Sequence, residues 1–252
     1  MLRTIERTSQ LLKLFTLDHP EWGITDLAEE LGWSTSTTHD LASSLAEIGL
    51  LNKSDKRRYT VGWRVLEMSH FLLGSGLLQT EARLCMERFA TRYDETIMFG
   101  VIAGGKLFFA EKIISKQPLP SRFSTPDGRF FAHCTAAGKV IMAYQSASEQ
   151  QEIINEHGLI PMTPKSIRTV GELNEELARI RDQGHAYAFE EAVIGLGCVA
   201  APVIDHSGQV VAALSIAAEI QQFERHLDRY RDVIIKTARQ LSRRLGHIFY
   251  TS

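Results

Sequence analysis

Two short helical patterns joined by only a few residues around Gly32 constrain this chain more than any other feature. In the first, Ile24, Leu27, Ala28 and Leu31 share one face. Thr25 is the expected N-cap there, and Gly32 the stop. The second is capped by Ser34 or Thr35, carries Leu41, Leu45 and Ile48 with Thr38 as its expected buried stripe, and ends at Gly49. Upstream, Ile5, Leu11, Leu12, Leu14 and Phe15 make residues 4–17 helical, and DHPEWG follows as a turn-rich break. Downstream, LLNKSDKRRYTVG reads as two short strands around a charged turn. Three helices and a hairpin within about 60 residues form a winged helix-turn-helix pattern, an architecture that binds DNA.

The remainder alternates strands and helices. Residues 64–83, through Leu66, Met68, Phe71, Leu72 and Leu77, read as one linker helix with more apolar residues than a small domain covers, a candidate dimer seam. TIMFGVIA and KLFFAEKII form a hairpin across Gly104 and Gly105, and GCVAAPVI and QVVAALSIA form a second across DHSG. CTAAGKVIMAY, ASEQQEIINEHG and VGELNEELARIRDQG read as helices. A last amphipathic helix is expected from Glu224 to Leu245, with Leu227, Tyr230, Ile234, Ala238, Leu241 and Leu245 on one side. The expected class is α+β, with a winged helix-turn-helix over 1–63, a linker helix over 64–83 and an α/β domain with an antiparallel sheet over 84–252.

With 252 residues the chain accommodates two domains of about 70 and 170 residues. No stretch of about 18 apolar residues is present, and MLRTIERTSQ lacks an apolar leader core, so the protein is expected in the cytoplasm with no membrane partner. Cys85, Cys134 and Cys198 are odd in number and widely spaced, which suggests neither a disulfide framework nor a zinc site; no metal or cofactor is expected. A net charge of −2 does not advertise a nucleic-acid partner, so DNA binding has to rest on local pattern.

Several segments resemble the IclR family of transcriptional regulators, and together they span nearly the whole chain. LAEELGWSTSTTHDLASSLAEIGLL resembles that family's helix-turn-helix, and RYTVGWRVLEM its wing-to-linker junction. HCTAAGK and CVAAPVIDHSGQVVAALSIA resemble two stretches of its effector domain. The resemblance implies a homodimer or homotetramer, a GAF-like effector-binding domain, and control of a neighbouring catabolic operon through a double-stranded DNA operator. It also implies a small-molecule effector, an organic acid or aromatic compound. A repressor is expected. The alternative is a ligand-binding regulator that acts through protein partners, with a helix-turn-helix that does not bind DNA.

On a helical wheel the outward side of the third helix presents Ser36, His39, Asp40, Ser43 and Glu47. Thr35 and Ser36 sit in the first turn, where backbone N–H groups favour a phosphate. Ser36, Thr37 and His39 match the family's helix, whereas Thr35 and Asp40 stand where family members often carry Lys and Arg. Between Lys13 and Lys53 there is no Lys or Arg, while the stretch holds Asp18, Glu21, Asp26, Glu29, Glu30, Asp40 and Glu47. Attraction to phosphate is therefore expected from Arg3 and Arg7 and from the wing residues Lys53, Lys56, Arg57 and Arg58.

By position, the resemblance places the effector against Ala136, Ala137, Leu196, Cys198 and Ser215, with Phe130 nearby. Independently, the small residues at 136–138 leave a helix N-terminus open to a carboxylate, and Ser215 puts a hydroxyl on an otherwise apolar strand. Some relatives that bind small oxo-acids carry an acid where this chain has Ala188. Together with Phe99, Phe108, Phe109, Phe130 and Phe131, that substitution points to an aromatic acid. An enzyme is not expected. His133 adjoins Cys134, but neighbouring residues on an extended segment point opposite ways, and no GxSxG, HExxH or phosphate loop occurs.

Overall fold

The computed structural model describes residues 2–16, 18–55, 57–74, 77–103, 105–116 and 129–249, with the side chains at 69–77 and 129 outside that description. Lys56, Gly104 and the side chains of Phe71, Leu72 and Leu77 therefore lie outside the described residues. The chain divides into two compact units, 1–76 and 77–252.

The first unit comprises α1 (Arg3–Lys13), β1 (Glu21–Gly23), α2 (Ile24–Leu31), α3 (Thr35–Glu47), β2 (Leu51–Lys53), β3 (Arg58–Val61) and α4 (Trp63–Gly74). Leu11, Ala42, Leu45, Leu51 and Tyr59 form its core. Gly32 ends α2 in the left-handed region at φ 64°, which an L side chain adopts only at a cost, and so permits the sharp turn into α3. Ser34 caps α3, its hydroxyl accepting from the Thr37 N–H at 3.2 Å.

Three expectations for this unit need correction. The N-cap of α2 is Gly23 rather than Thr25, with the Asp26 carboxylate accepting from the Gly23 N–H. The break at DHPEWG contains strand β1, which pairs antiparallel with β3 and makes the wing sheet three-stranded, in the order β1-β3-β2. The buried stripe of α3 is Thr38, Ala42 and Leu45, with Leu41 half-buried and Ile48 exposed. Alanine, with its small side chain, marks the closest approach to the unit's core, and the stripe is rotated from the one that the larger residues suggest.

The second unit begins with α5 (Leu77–Tyr93). The expected helix over 64–83 falls on α4 and the start of α5, and Ser75 and Gly76 between them lie outside the described residues. Then follow β4 (Thr96–Ala103), β5 (Lys106–Ile113), β6 (Arg129–Phe131), a short turn at 132–134, α6 (Ala136–Ala143), α7 (Ala147–His157) and α8 (Val170–Gln183). The unit closes with β7 (Ala186–Phe189), β8 (Leu196–Ile204), β9 (Val210–Glu219), α9 (Ile220–Arg225) and α10 (Leu227–Arg244). The expected last helix is two, α9 and α10, with a break at His226.

Its sheet is antiparallel throughout, in the order β6-β5-β4-β9-β8-β7. Alternation along the strands builds a core on each face. Ile97, Phe99, Val199, Ala201, Leu214 and Ile216 pack with Met86 and Phe89 of α5 and with Tyr230, Ile234, Ala238 and Leu241 of α10. Met98, Ala200, Ala213 and Ala217 pack on the opposite side with α6 and α8. In the first of these cores the Tyr230 hydroxyl donates to the Glu95 carboxylate at 2.7 Å. Burial and that carboxylate push the Tyr230 phenol up to about 12. No helix among the described residues is long and apolar enough to cross a membrane.

Candidate DNA-reading groove and ligand cavity

In the first unit Thr35, Ser36, His39 and Asp40 line a groove with Lys53, Arg57 and Arg58 of the wing and with the start of α2 from Gly23 to Asp26. His39 lies between two neighbours on α3: its Nδ1 is 3.6 Å from Asp40 Oδ1 and its Nε2 is 3.5 Å from the Ser43 hydroxyl. The same hydroxyl is 3.4 Å from that of Tyr59. Thr37 is tied into the cap, its hydroxyl accepting from that of Ser34 at 2.8 Å. The groove therefore collects Thr35, Ser36, His39, Lys53, Arg57 and Arg58, with Ser43 one turn further along the helix.

The cations are not equivalent. Arg58 is held by carboxylates, its Nε 3.0 Å from Glu21 Oε1 and its Nη1 3.8 Å from Asp26 Oδ2. Its Nη2 also donates to the Glu21 carbonyl at 3.3 Å. Arg58 thus clamps β3 to β1 and α2. Arg57 takes a left-handed φ of 58° at the wing turn, and its N–H donates to the Ser54 carbonyl. Lys53 lies over the Tyr59 ring, Arg7 lies over the Trp33 ring, and Arg3 is exposed at the start of α1.

In the second unit Phe130, Ala136, Ala137, Leu196, Cys198 and Ser215 all line one enclosed and largely apolar cavity. Register explains why they converge. Met98 pairs with Ser215 and Ala188 with Cys198, so four side chains from four strands stand on one face of the sheet. Thr135 caps α6 through the Gly138 N–H at 3.0 Å and directs the helix N-terminus at the cavity. The Ser215 hydroxyl is buried there with no hydrogen-bond partner among the described residues.

Several lining residues escaped the sequence reading. Met98, Thr135 and Glu191 also face the cavity, beside Phe109 and Ala188, which the sequence had already set near the ligand. Strand alternation relative to Ser215 would have found Met98, once the pairing of β4 with β9 was known. Of the five phenylalanines expected near the ligand, only Phe109 and Phe130 line it. Phe99 packs on the other face of the sheet, Phe108 is exposed, and Phe131 stacks near His133 and His157.

A buried ion cluster borders the cavity. Lys139 of α6 is 1% exposed and places its Nζ 2.7 and 2.9 Å from the two carboxylate oxygens of Glu191 and 3.2 Å from Glu176 Oε1 of α8. Burial pushes the Glu191 carboxyl up, and the Lys139 charge opposes that shift. Burial also pushes the Cys198 thiol up to about 12 and raises that of Cys134, while it lowers the His133 imidazole. Burial thus disfavours the thiolate that a nucleophilic site needs. Among the described residues no group of three or more His, Cys, Asp or Glu side chains is placed to hold a metal ion.

A winged helix-turn-helix and a separate sheet unit with an internal cavity define a DNA-binding transcriptional regulator. Residues 4–55 match the IclR helix-turn-helix domain, and residues 70–243 match the bacterial transcriptional regulator IclR C-terminal domain. The chain belongs to the IclR family. It is 30% identical to the HTH-type transcriptional regulator XynR of Escherichia coli over 249 residues, 98% of each chain. It is 25% identical to the transcriptional repressor IclR of Escherichia coli over 255 residues, covering 97% of this chain and 90% of the relative. These relatives are transcription regulators, not enzymes. The structure of an IclR homolog from Microbacterium hydrocarbonoxydans, complexed with 4-hydroxybenzoate, superposes with a TM-score of 0.78 at 20% identity, over 96% of this chain and 99% of that one, a likeness of fold.

Proposed function

We propose that this chain is a repressor whose grip on a double-stranded operator is set by a small aromatic acid held in the cavity of the second unit. The observation that carries this reading is the unpartnered Ser215 hydroxyl in an apolar cavity at the N-terminus of α6. A buried hydroxyl without a partner is costly, and a ligand acceptor or donor relieves that cost. The backbone N–H groups of Ala136 and Ala137 suit the carboxylate, and Phe109 and Phe130 suit the ring. The replacement of an acid by Ala188 at the cavity wall supports an aromatic compound over a small oxo-acid. A relative named as a repressor and a fold neighbour bound to 4-hydroxybenzoate agree with it.

Ser215→Ala tests the cavity with two readouts that move in opposite directions. Affinity for benzoate and 4-hydroxybenzoate, measured calorimetrically, should fall about five- to tenfold, the scale of one neutral hydrogen bond. Thermal stability without ligand should hold or rise, because an unsatisfied buried hydroxyl has been removed. Unchanged affinity with lowered stability would make Ser215 a core residue only.

On the DNA side we assign contacts to Thr35, Ser36, Thr37, His39 and Ser43 of α3, to Arg3 and Arg7, and to the wing cations. Within the wing, Lys53 and Arg57 are the expected phosphate contacts, because Arg58 is already held by Glu21 and Asp26. Replacing Lys53 and Arg57 together by Ala should weaken binding to every duplex about equally. It should also flatten the slope of log K against log salt by about two units, close to one per phosphate contact. An unchanged slope would mean that these side chains are merely solvated. The exposed Trp63, Leu66 and Met68 of α4 fit the expected seam between two copies of this chain, and sedimentation of Leu66→Glu against the unaltered protein tests that seam.

A further inference from the structure

A helix that reads DNA usually brings a positive charge to the groove, and α3 carries neither Lys nor Arg. Its single titratable cation is His39, half exposed on the outward face. We propose that His39 enters the operator complex as imidazolium, held by Asp40, and supplies the positive charge that this recognition helix otherwise lacks. The inference rests on the reading that α3 lies against DNA.

The geometry is specific. Imidazolium donates from both ring nitrogens. Nδ1, 3.6 Å from the Asp40 carboxylate, faces the group that stabilises the charged form. Nε2, 3.5 Å from the Ser43 hydroxyl, is the donor left for an acceptor on the duplex, either guanine O6 or N7 or a phosphate oxygen. The other charges around the groove act in both senses. Lys53, Arg57 and Arg58 from the wing bring positive charge to the same groove, and Asp26 from α2 brings negative charge. Glu21 and Asp26 are themselves occupied by Arg58, which mutes both sides. An approaching phosphate backbone adds negative charge only, so duplex binding draws a proton onto His39. Imidazole changes its charge between about pH 5 and 8, within reach of cytoplasmic variation. Asp40 thereby serves as the anchor that lets a histidine stand where a fixed cation would otherwise be.

Linkage gives the test its scale: uptake of one proton changes affinity by at most about tenfold per pH unit. The probe is a duplex selected by the intact protein from a random-sequence pool at pH 7, with a scrambled duplex beside it and no effector added. For the unaltered protein, Kd measured by fluorescence anisotropy at fixed salt should tighten roughly tenfold from pH 8 to pH 6. In His39→Gln the same change should fall below about twofold, with binding at pH 8 close to that of the unaltered protein. In Asp40→Asn the dependence should remain but move to lower pH. A gain confined to the selected duplex would assign Nε2 to a base, and a gain on both duplexes would assign it to phosphate. A melting temperature within experimental scatter of the parent confirms that each variant is folded. A full pH response in folded His39→Gln, or none in the unaltered protein, overturns the proposal. Failure to select any duplex overturns the DNA-binding reading itself, and the proposal with it.

Discussion

Replacement of Lys139 by methionine is expected to destabilise the second unit by about 3–5 kcal/mol at pH 7, the largest loss foreseen for one buried side chain. Methionine keeps the length and the apolar stem but removes the ammonium. Glu176 still has Arg179 Nη2 at 2.8 Å, but Glu191 loses the cation that touches both of its oxygens. An uncompensated carboxylate in a desolvated site costs far more than the ion pair contributed while intact. The double variant Lys139→Met, Glu191→Gln should therefore recover much of the loss. Denaturant unfolding of the two variants measures it, and a double variant no more stable than the single one would show that Lys139 matters for packing alone.

The same variant should respond to pH in a definite direction. Burial already pushes the Glu191 carboxyl up, with Lys139 pulling it down. Without the lysine only a backbone hydrogen bond from Phe189 opposes the upward push of burial and Glu176, and the folded state holds the proton more tightly than the unfolded chain. A carboxyl raised on folding contributes stability at pH below its unfolded value, and that contribution is lost as pH rises through the folded value. The deficit of Lys139→Met should thus shrink when pH is lowered from 7 to 5. Because Glu191 lines the cavity, ligand affinity in this variant should vary with pH as well.

How much of this was legible beforehand depended on the range of the interaction. Gly32 and Ser34 act within four residues, and the helix stop and start they impose could be read from the chain. The pairs of β4 with β5 and of β8 with β9 were legible because each hairpin carries its own turn. The contact of β4 with β9 was not, and without it Met98 could not be seen to stand beside Ser215. Lys139 illustrates the same limit, since its partners lie 37 and 52 residues away and a lone lysine among apolar residues ordinarily snorkels outward. Strand β1 is three residues long, too short for any period to declare itself. The shared cavity of Phe130, Ala136, Ala137, Leu196, Cys198 and Ser215 followed from the resemblance to a family, and the unpartnered state of the Ser215 hydroxyl emerged only from coordinates.

One substitution, glycine to alanine, should have opposite signs at two helix N-termini of the second unit. At Gly138 a Cβ would stand 2.3 Å from the Ala132 carbonyl oxygen, 2.6 Å from the Ala132 Cα and 2.7 Å from the Thr135 hydroxyl oxygen. Two of these neighbours are backbone atoms, and the third is the cap that accepts from the Gly138 N–H, so the clash cannot be relieved by a rotamer change. The first turn of α6 must move off the turn at 132–134, which shifts Ala136 and Ala137 at the cavity wall. Overpacking of this kind costs about 1–3 kcal/mol, and loss of the cap adds about 1 kcal/mol. Gly171, in the first turn of α8, meets nothing within 4 Å of its Cβ position and has no left-handed φ. Alanine there removes backbone freedom from the unfolded chain and should stabilise by about 0.4–1 kcal/mol. Gly138→Ala should also abolish binding of 4-hydroxybenzoate, whereas Gly171→Ala should leave it unchanged. Chemical denaturation and ligand titration of the two variants side by side decide the matter. A Gly138→Ala protein as stable as the parent, with ligand affinity intact, would mean that the close approach of α6 to residue 132 shapes neither the fold nor the cavity.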